Sequence, residues 1–274
     1  MYTEYQPSHL LVPYIDSYWE FKGNPDYGMR IHILPDGCTD FIFTLGEVAN
    51  AVEEGSLIMQ PYRSYFVGPM TKYSELVTYT ESIHMFGVRF LPCGLSCFTN
   101  LPLHEFVNSR VSTNEMKAVF DDTFIEKLGE QKHVTDRIRV VEEYLLAYLA
   151  RHYQPADSHV AMAVNMINHS KGKRSVRSLM DDVRLCQRHF ERKFKHYTGF
   201  TPKEYSRIVK FKNAVELLRT TTSANLLTTA VDAGYYDLAH FSKEIKSMSG
   251  NTPASFLSLT VPEETTLTYI EPQR

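Results

Sequence analysis

Hydrophobic and polar positions divide the chain into two halves of different period. Over residues 1–110 the apolar residues come in short runs rich in aromatic and β-branched side chains: Ile31–Leu34, Asp40–Leu45, Tyr65–Val67, Glu75–Tyr79 and His84–Phe90. Pro35-Asp36-Gly37 and Gly68-Pro69 punctuate them as turns. Strands at this spacing predict a β-barrel or sandwich. From about Thr113 the period becomes helical. Met116, Val119, Phe120 and Leu128 predict one short amphipathic helix. Val134, Ile138, Val141, Leu145, Tyr148 and Leu149 form a longer stripe at helical spacing. That stripe either packs on the β domain or forms a dimer seam. Gln154–Ser158 breaks it, and another helix is predicted from His159 to His169. The expected class is α+β: a β-rich effector-binding or dimerisation domain with C-terminal helices over 1–154, a linker region over 155–173, an all-α domain over 174–260, and a loose polar tail over 261–274.

Within the helical half the sequence matches itself at an offset of 51. His189-Phe190, Lys195, Gly199 and Thr201-Pro202 return as His240-Phe241, Lys246, Gly250 and Thr252-Pro253. Upstream, after a one-residue shift, Val176 stands opposite Leu226 and Met180 opposite Ala230. Repetition at this length means two copies of one supersecondary unit. Each copy reads as a short helix, a tight turn, a second helix and a glycine stop. In the first, Val176–Val183 leads through Arg184-Leu185 to a helix from Gln187. In the second, Leu226–Ala233 leads through Gly234-Tyr235-Tyr236 to Asp237, a good N-cap. Thr201-Pro202-Lys203-Glu204 is a capping box with proline at the first helical position, and it opens a connecting helix through Leu218. This is helix-turn-helix geometry, whose second helix can enter a major groove. Phe190 and Phe194, like Phe241 and Ile245, are four apart and should face the core. Gln187, Arg188, Glu191, Arg192 and Lys195 are then outward in the first copy, and Leu238, Ala239, Ser242, Lys243 and Lys246 in the second.

Charge follows the same division. The 274 residues carry a net −3, but Lys171–Thr260 holds 16 Lys and Arg against 8 Asp and Glu, a local +8, which leaves −11 for the rest. A basic module on an acidic body suits a polyanion partner. Four scattered cysteines imply no disulfide framework. No signal-like start and no apolar run of about 18 residues is present. The expectation is a cytoplasmic protein without a membrane partner.

The anchors Phe190-x-Arg192-x-Phe194-Lys195-x-x-x-Gly199-x-Thr201-Pro202-x-x-Tyr205 are followed by Ala230-x-x-x-Gly234-Tyr235-x-Asp237-x-x-His240-Phe241-Ser242-Lys243-x-x-Lys246 and Gly250-x-Thr252-Pro253. They resemble the DNA-binding domain of AraC/XylS-type transcription regulators. The resemblance implies two helix-turn-helix subdomains joined by one helix, reading successive major-groove segments about 34 Å apart. It matches Arg188, Glu191 and Arg192 to base-facing sites of the first recognition helix, and Leu238, Ala239, Ser242 and Lys243 to those of the second. It further implies an N-terminal, cupin-like barrel that binds an effector or dimerises, with double-stranded promoter DNA and RNA polymerase as partners. The stretches Ile33–Phe43 and Gly87–Pro92 are similar to N-terminal regions of that family. Three departures stand out in the first unit: Met180 for a small residue, Arg184 where the turn commonly has glycine, and Cys186 where the cap is commonly serine. In the second unit Leu238 and Ala239 can touch a thymine methyl but cannot read hydrogen-bonding edges. Sequence reading should therefore lean on the first helix.

Chemistry in the N-terminal half is sparse. Tyr14, Tyr18, Trp19, Tyr62, Tyr65 and Arg89 could line an apolar effector pocket with one cation, or form an aromatic core with Arg89 in a salt bridge. His32, His84, Cys38, Cys93 and Cys97 lack the spacing of a metal site. No phosphate loop, nucleophile elbow or zincin motif occurs, and neither an enzyme nor a cofactor is expected. Two alternatives stay open: a metal-dependent cupin-type enzyme with a regulatory DNA-binding tail, and a constitutive dimeric DNA-binding protein without an effector.

Overall fold

The computed structural model describes residues 2–51, 56–116, 119–120, 122–152, 154–220, 226–257 and 268–270. Among the described residues, nine strands occupy the first part of the chain: β1 (Tyr2–Tyr5), β2 (Ile15–Gly23), β3 (Met29–Ile33), β4 (Thr39–Thr44), β5 (Asn50–Ala51), β6 (Ser64–Val67), β7 (Ser74–Thr78), β8 (Ile83–Phe90) and β9 (Arg110–Ser112). Helices α1 (Asp122–Gly129), α2 (Val134–His152), α3 (Ser158–His169), α4 (Val176–Val183), α5 (Gln187–Thr198), α6 (Pro202–Thr220), α7 (Leu226–Asp232), α8 (Leu238–Ser249) and α9 (Pro253–Leu257) follow, and then β10 (Thr268–Ile270). The strands form two antiparallel sheets, ordered β1-β2-β8-β4-β6-β9 and β10-β3-β7-β5.

The larger sheet is apolar on both faces, because its strands alternate between two cores. Trp19, Phe21, Ile42, Tyr65, Val67 and Met85 point to the smaller sheet and bury with Ile31 and Leu76. Tyr18, Phe41, Phe43, Phe66, Phe86, Val88 and Phe90 point the other way, onto Phe120 and Phe124 and onto Val141 and Leu145 of α2. The α2 stripe therefore packs on the β domain. The short helix expected from Met116 begins only at Asp122, although Val119 and Phe120 are buried ahead of it; Lys117 and Ala118 lie outside the described residues.

Each face of this sheet buries one arginine. On the helix side, Arg137 donates to the carbonyls of Leu128 and Gln131 (3.2 and 2.6 Å) and to Glu20 Oε1 at 3.0 Å. Between the sheets, Arg89 is ringed by Asp40 (3.3 Å), Asp36 (3.4 Å) and Glu4 (3.1 Å). Burial disfavours its charged form, but the Asp40 carboxylate and the other acidic groups around it more than offset that and hold it charged. Burial pushes the Asp40 carboxyl up to about 6 against the pull of Arg89. Asp40 also accepts from Trp19 Nε1 at 2.6 Å. Trp19 lies across Gly87, where a Cβ would come within 1.9 Å of its ring.

Two of the expected boundaries change. Residues 155–173 are not a linker: Val160, Ala163, Val164 and Ile167 of α3 are buried in the C-terminal core, so that domain begins at Asp157. Asp157 caps α3 through the amides of His159 and Val160 and pairs with Lys193 of α5 at 2.6 Å. Nor is the tail wholly loose, because Thr268–Ile270 pairs antiparallel with Ile31–Ile33 of β3.

Removing the guanidinium leaves three carboxylates around an empty centre. Arg89→Met should cost about 3–5 kcal/mol of stability in urea unfolding, and adding Asp40→Asn should recover part of that loss.

Candidate nucleic-acid interface

The two predicted units are both present: α4 with α5, and α7 with α8, joined by α6. Phe190, Phe194, Phe241 and Ile245 are fully buried, so the apolar faces of α5 and α8 turn inward as their spacing requires. Gln187, Arg188, Arg192 and Lys195 are exposed on α5, with Glu191 half-buried among them. Leu238, Ala239, Lys243 and Lys246 are exposed on α8, with Ser242 half-buried. On α5, Gln187 Nε2 donates to Glu191 Oε1 at 2.9 Å, which gives that acidic group a local partner and leaves the two arginines forward.

The frames are unequal. At the first turn Arg184 takes φ +54° and ψ +33°, a left-handed conformation that costs a residue with a Cβ about 1–2 kcal/mol. The next helix starts on Cys186, whose side chain makes no capping bond. In the second unit Gly234 takes φ +86° without that penalty, and Asp237 Oδ1 accepts from the His240 amide at 2.7 Å. The second unit is also tied to the connector: Arg207 of α6 grips Glu244 through two bonds of 2.9 Å, and Lys210 donates to the Gly234 carbonyl at 3.2 Å. Sequence reasoning passed over Tyr236, which is 91% exposed in the turn before α8 while its neighbour Tyr235 is buried. Two adjacent tyrosines offered no signal as to which would be outside.

The expected effector residues do not converge. Trp19, Tyr65 and Arg89 face the space between the sheets, whereas Tyr14 and Tyr18 belong to the core on the opposite face, and Tyr62 is exposed. The reason is the strand period: Tyr18 and Trp19 are consecutive and must point apart. Between the sheets a cavity of about 50 Å³ is lined by Trp19, Ile33, Met59, Met85, Arg89 and Arg110. A more polar vestibule of about 240 Å³, with Lys72, Ser74, Asn108 and Arg110 in its wall, adjoins it; Val67, Met70 and Arg110 line both.

The five metal-ligand candidates do not form one cluster. His32 stacks on Tyr73, His84 pairs with Glu20 at 2.9 Å, and Cys38, Cys93 and Cys97 are buried free thiols. Among the described residues no group of three His, Cys, Asp or Glu could hold a metal ion, and no helix is long and apolar enough to cross a membrane.

The two domains share contacts that sequence reasoning did not anticipate. Leu34 and Cys93 are buried in the core of the helical domain. Gly37 lies against the ring of Tyr205, where a Cβ would come within 2.7 Å, and the Asp36 carbonyl accepts from Lys212 Nζ at 3.3 Å.

Residues 3–112 match a family described as a domain of unknown function (DUF6597), and residues 179–258 match a helix-turn-helix domain. That second match spans both units and the helix between them. The chain is a helix-turn-helix, DNA-binding transcription regulator. The regulator's fold is similar to that of ToxT from Vibrio cholerae, with a TM-score of 0.53 at 10% identity over 90% of this chain and 100% of that one. A ToxT structure from Vibrio cholerae O395, bound to (E)-4-(8-methylnaphthalen-1-yl)but-3-enoic acid, gives a TM-score of 0.50 at 10% identity, covering 89% and 99%. A probable AraC family transcriptional regulator from Rhodopseudomonas palustris aligns at a TM-score of 0.34 with 20% identity, over 37% of the regulator and 96% of that chain. No curated protein matches the regulator's sequence.

The strained turn and missing cap make a direct test of the unequal frames. Arg184→Gly and Cys186→Ser should each raise stability by about 0.5–1 kcal/mol in chemical denaturation. Asp237→Ala should lower it by about 1 kcal/mol.

Proposed function

We propose that the regulator reads its operator mainly through α5, while α8 contributes phosphate and methyl contacts. The observation that carries this reading is the contrast of the exposed faces. Arg188 and Arg192 can each make bidentate bonds to guanine edges, whereas α8 offers Leu238, Ala239 and Ser242 beside Lys243 and Lys246. Lys195, Lys243 and Lys246 would neutralise phosphates, and Tyr236 stands where it could join them. RNA polymerase at the bound promoter and a second copy of the chain are the further partners of this reading.

We propose also that the effector is an apolar molecule with one anionic end. The cavity between the sheets is walled by Trp19, Ile33, Met59 and Met85; Asp40 lines it too, ion-paired with Arg89, and Arg110 lies where the cavity meets the vestibule. Lys72 and Arg110 also line the adjoining vestibule. The acid bound by ToxT has the same character, an apolar body with one carboxylate. Methionines are adaptable fillers, and their displacement would enlarge the space. The 50 Å³ cavity favours the second reading, a constitutive regulator with a closed sandwich.

Arg192→Ala should cost about 1–3 kcal/mol on a duplex selected by the full chain and relax its base preference. Lys243→Ala should instead weaken binding to all duplexes alike and reduce the slope of log affinity against log salt by about 1. The reverse pattern would reassign reading to α8.

Sodium decanoate at about a hundredfold excess over its Kd should raise the melting midpoint by about 5 °C. No shift with decanoate or an aryl-alkanoate would favour the constitutive reading.

A further inference from the structure

Both recognition helices end on glycines that the 51-residue repeat makes equivalent, and both glycines rest on one loop of the other domain. Gly199 (φ +83°) ends α5 and Gly250 (φ +75°) ends α8. A Cβ at Gly199 would come 2.5 Å from Pro69 Cγ and 3.2 Å from the Leu103 carbonyl; one at Gly250 would come 2.7 Å from Tyr73 Cζ. Pro69 and Tyr73 lie near the two ends of the loop between β6 and β7. A single five-residue stretch thus bridges the matching ends of the two reading helices.

That stretch is braced on its own side. Gly68 N donates to the Ser109 carbonyl (3.0 Å), Asn108 N to the Pro69 carbonyl (2.9 Å), and Thr71 N to Asn108 Oδ1 (2.8 Å). The Tyr73 ring is stacked against His32 of β3. Between its two anchors the loop contributes Met70 to both the cavity and the vestibule.

We infer that the β6–β7 loop is the gauge that sets the spacing of α5 and α8 and carries the state of the cavity to them. The part driven by ligand rests on the effector reading; the spacing part does not. B-DNA advances about 3.4 Å per base pair, so a displacement of even an ångström or two between the two helices is a substantial fraction of one step of register. A ligand that moves Met70 shifts a loop whose flanking residues, one and three positions away, touch both units.

The experiment uses the full chain, a duplex it selects from a random pool, and the same duplex with one base pair inserted between the two contacted segments. The wild type should prefer the selected duplex about tenfold, and Tyr73→Ala should reduce that preference to about threefold or less. The melting midpoint of Tyr73→Ala should stay within about 2 °C of wild type. Tyr73→Phe, which keeps the ring against Gly250, should restore the preference, and Tyr73→Leu serves if the alanine variant does not fold. Wild-type discrimination in both Tyr73→Ala and Tyr73→Leu would overturn the inference and leave α6 alone setting the spacing. Decanoate should change the spacing preference of the wild type and leave that of Tyr73→Ala unmoved. If decanoate raises the melting midpoint but does not touch the preference, the coupling is wrong while the effector reading stands. If decanoate does not bind and Tyr73→Ala still loses discrimination, the effector reading fails and the gauge stands.

Discussion

One guanidinium between the sheets organises much of the N-terminal domain. Arg89 draws β1, β4, β8 and the loop before β4 to a single point through Glu4, Asp40 and Asp36. A charge this deeply buried is tolerable only with its partners in place, so the four segments hold their positions together or not at all. Asp36 is the member with reach. Its side chain answers to Arg89, its Oδ1 accepts from the Cys38 amide at 2.8 Å, and its carbonyl meets Lys212 of the connecting helix. The same residue therefore belongs to the interior of one domain and the surface of the other.

The helical domain divides its labour unevenly. The unit with two forward arginines has a left-handed arginine in its turn and an uncapped helix start. The unit with glycine and aspartate at those places, and with three bonds to α6, presents the blander face. Stability is concentrated where there is less to read. Part of what the first unit gains on DNA must go to ordering its own frame, which lowers affinity while keeping selectivity.

The regular elements were legible because they rest on local signals. Phe190 and Phe194 four apart, Thr201 and Glu204 three apart, and glycines one residue beyond each second helix are enough to place α5, α6 and α8. The α3 boundary was misjudged because Gln154-Pro155 and Ser170-Lys171-Gly172 flank it with linker-like composition. The stripe Val160, Ala163, Val164, Ile167 is what decides its membership. Tyr14 and Tyr18 went to the wrong side because a list of aromatics takes no account of pleat. The docking loops were illegible for another reason: Pro35-Asp36-Gly37 and Gly68-Pro69 have the residues any turn would have. What those turns touch depends on contacts more than a hundred residues away.

The last strand gives the chain an order of completion. β10 supplies the outer neighbour of β3, so the smaller sheet of the first domain is finished by residues that follow the second. On a ribosome the N-terminal strands emerge long before Thr268–Ile270 exists. Until that segment emerges, β3 carries a bare row of amides and carbonyls along one edge. The smaller sheet is completed only after the helical domain has been made, so a chain cut short within that domain leaves an open seam along β3.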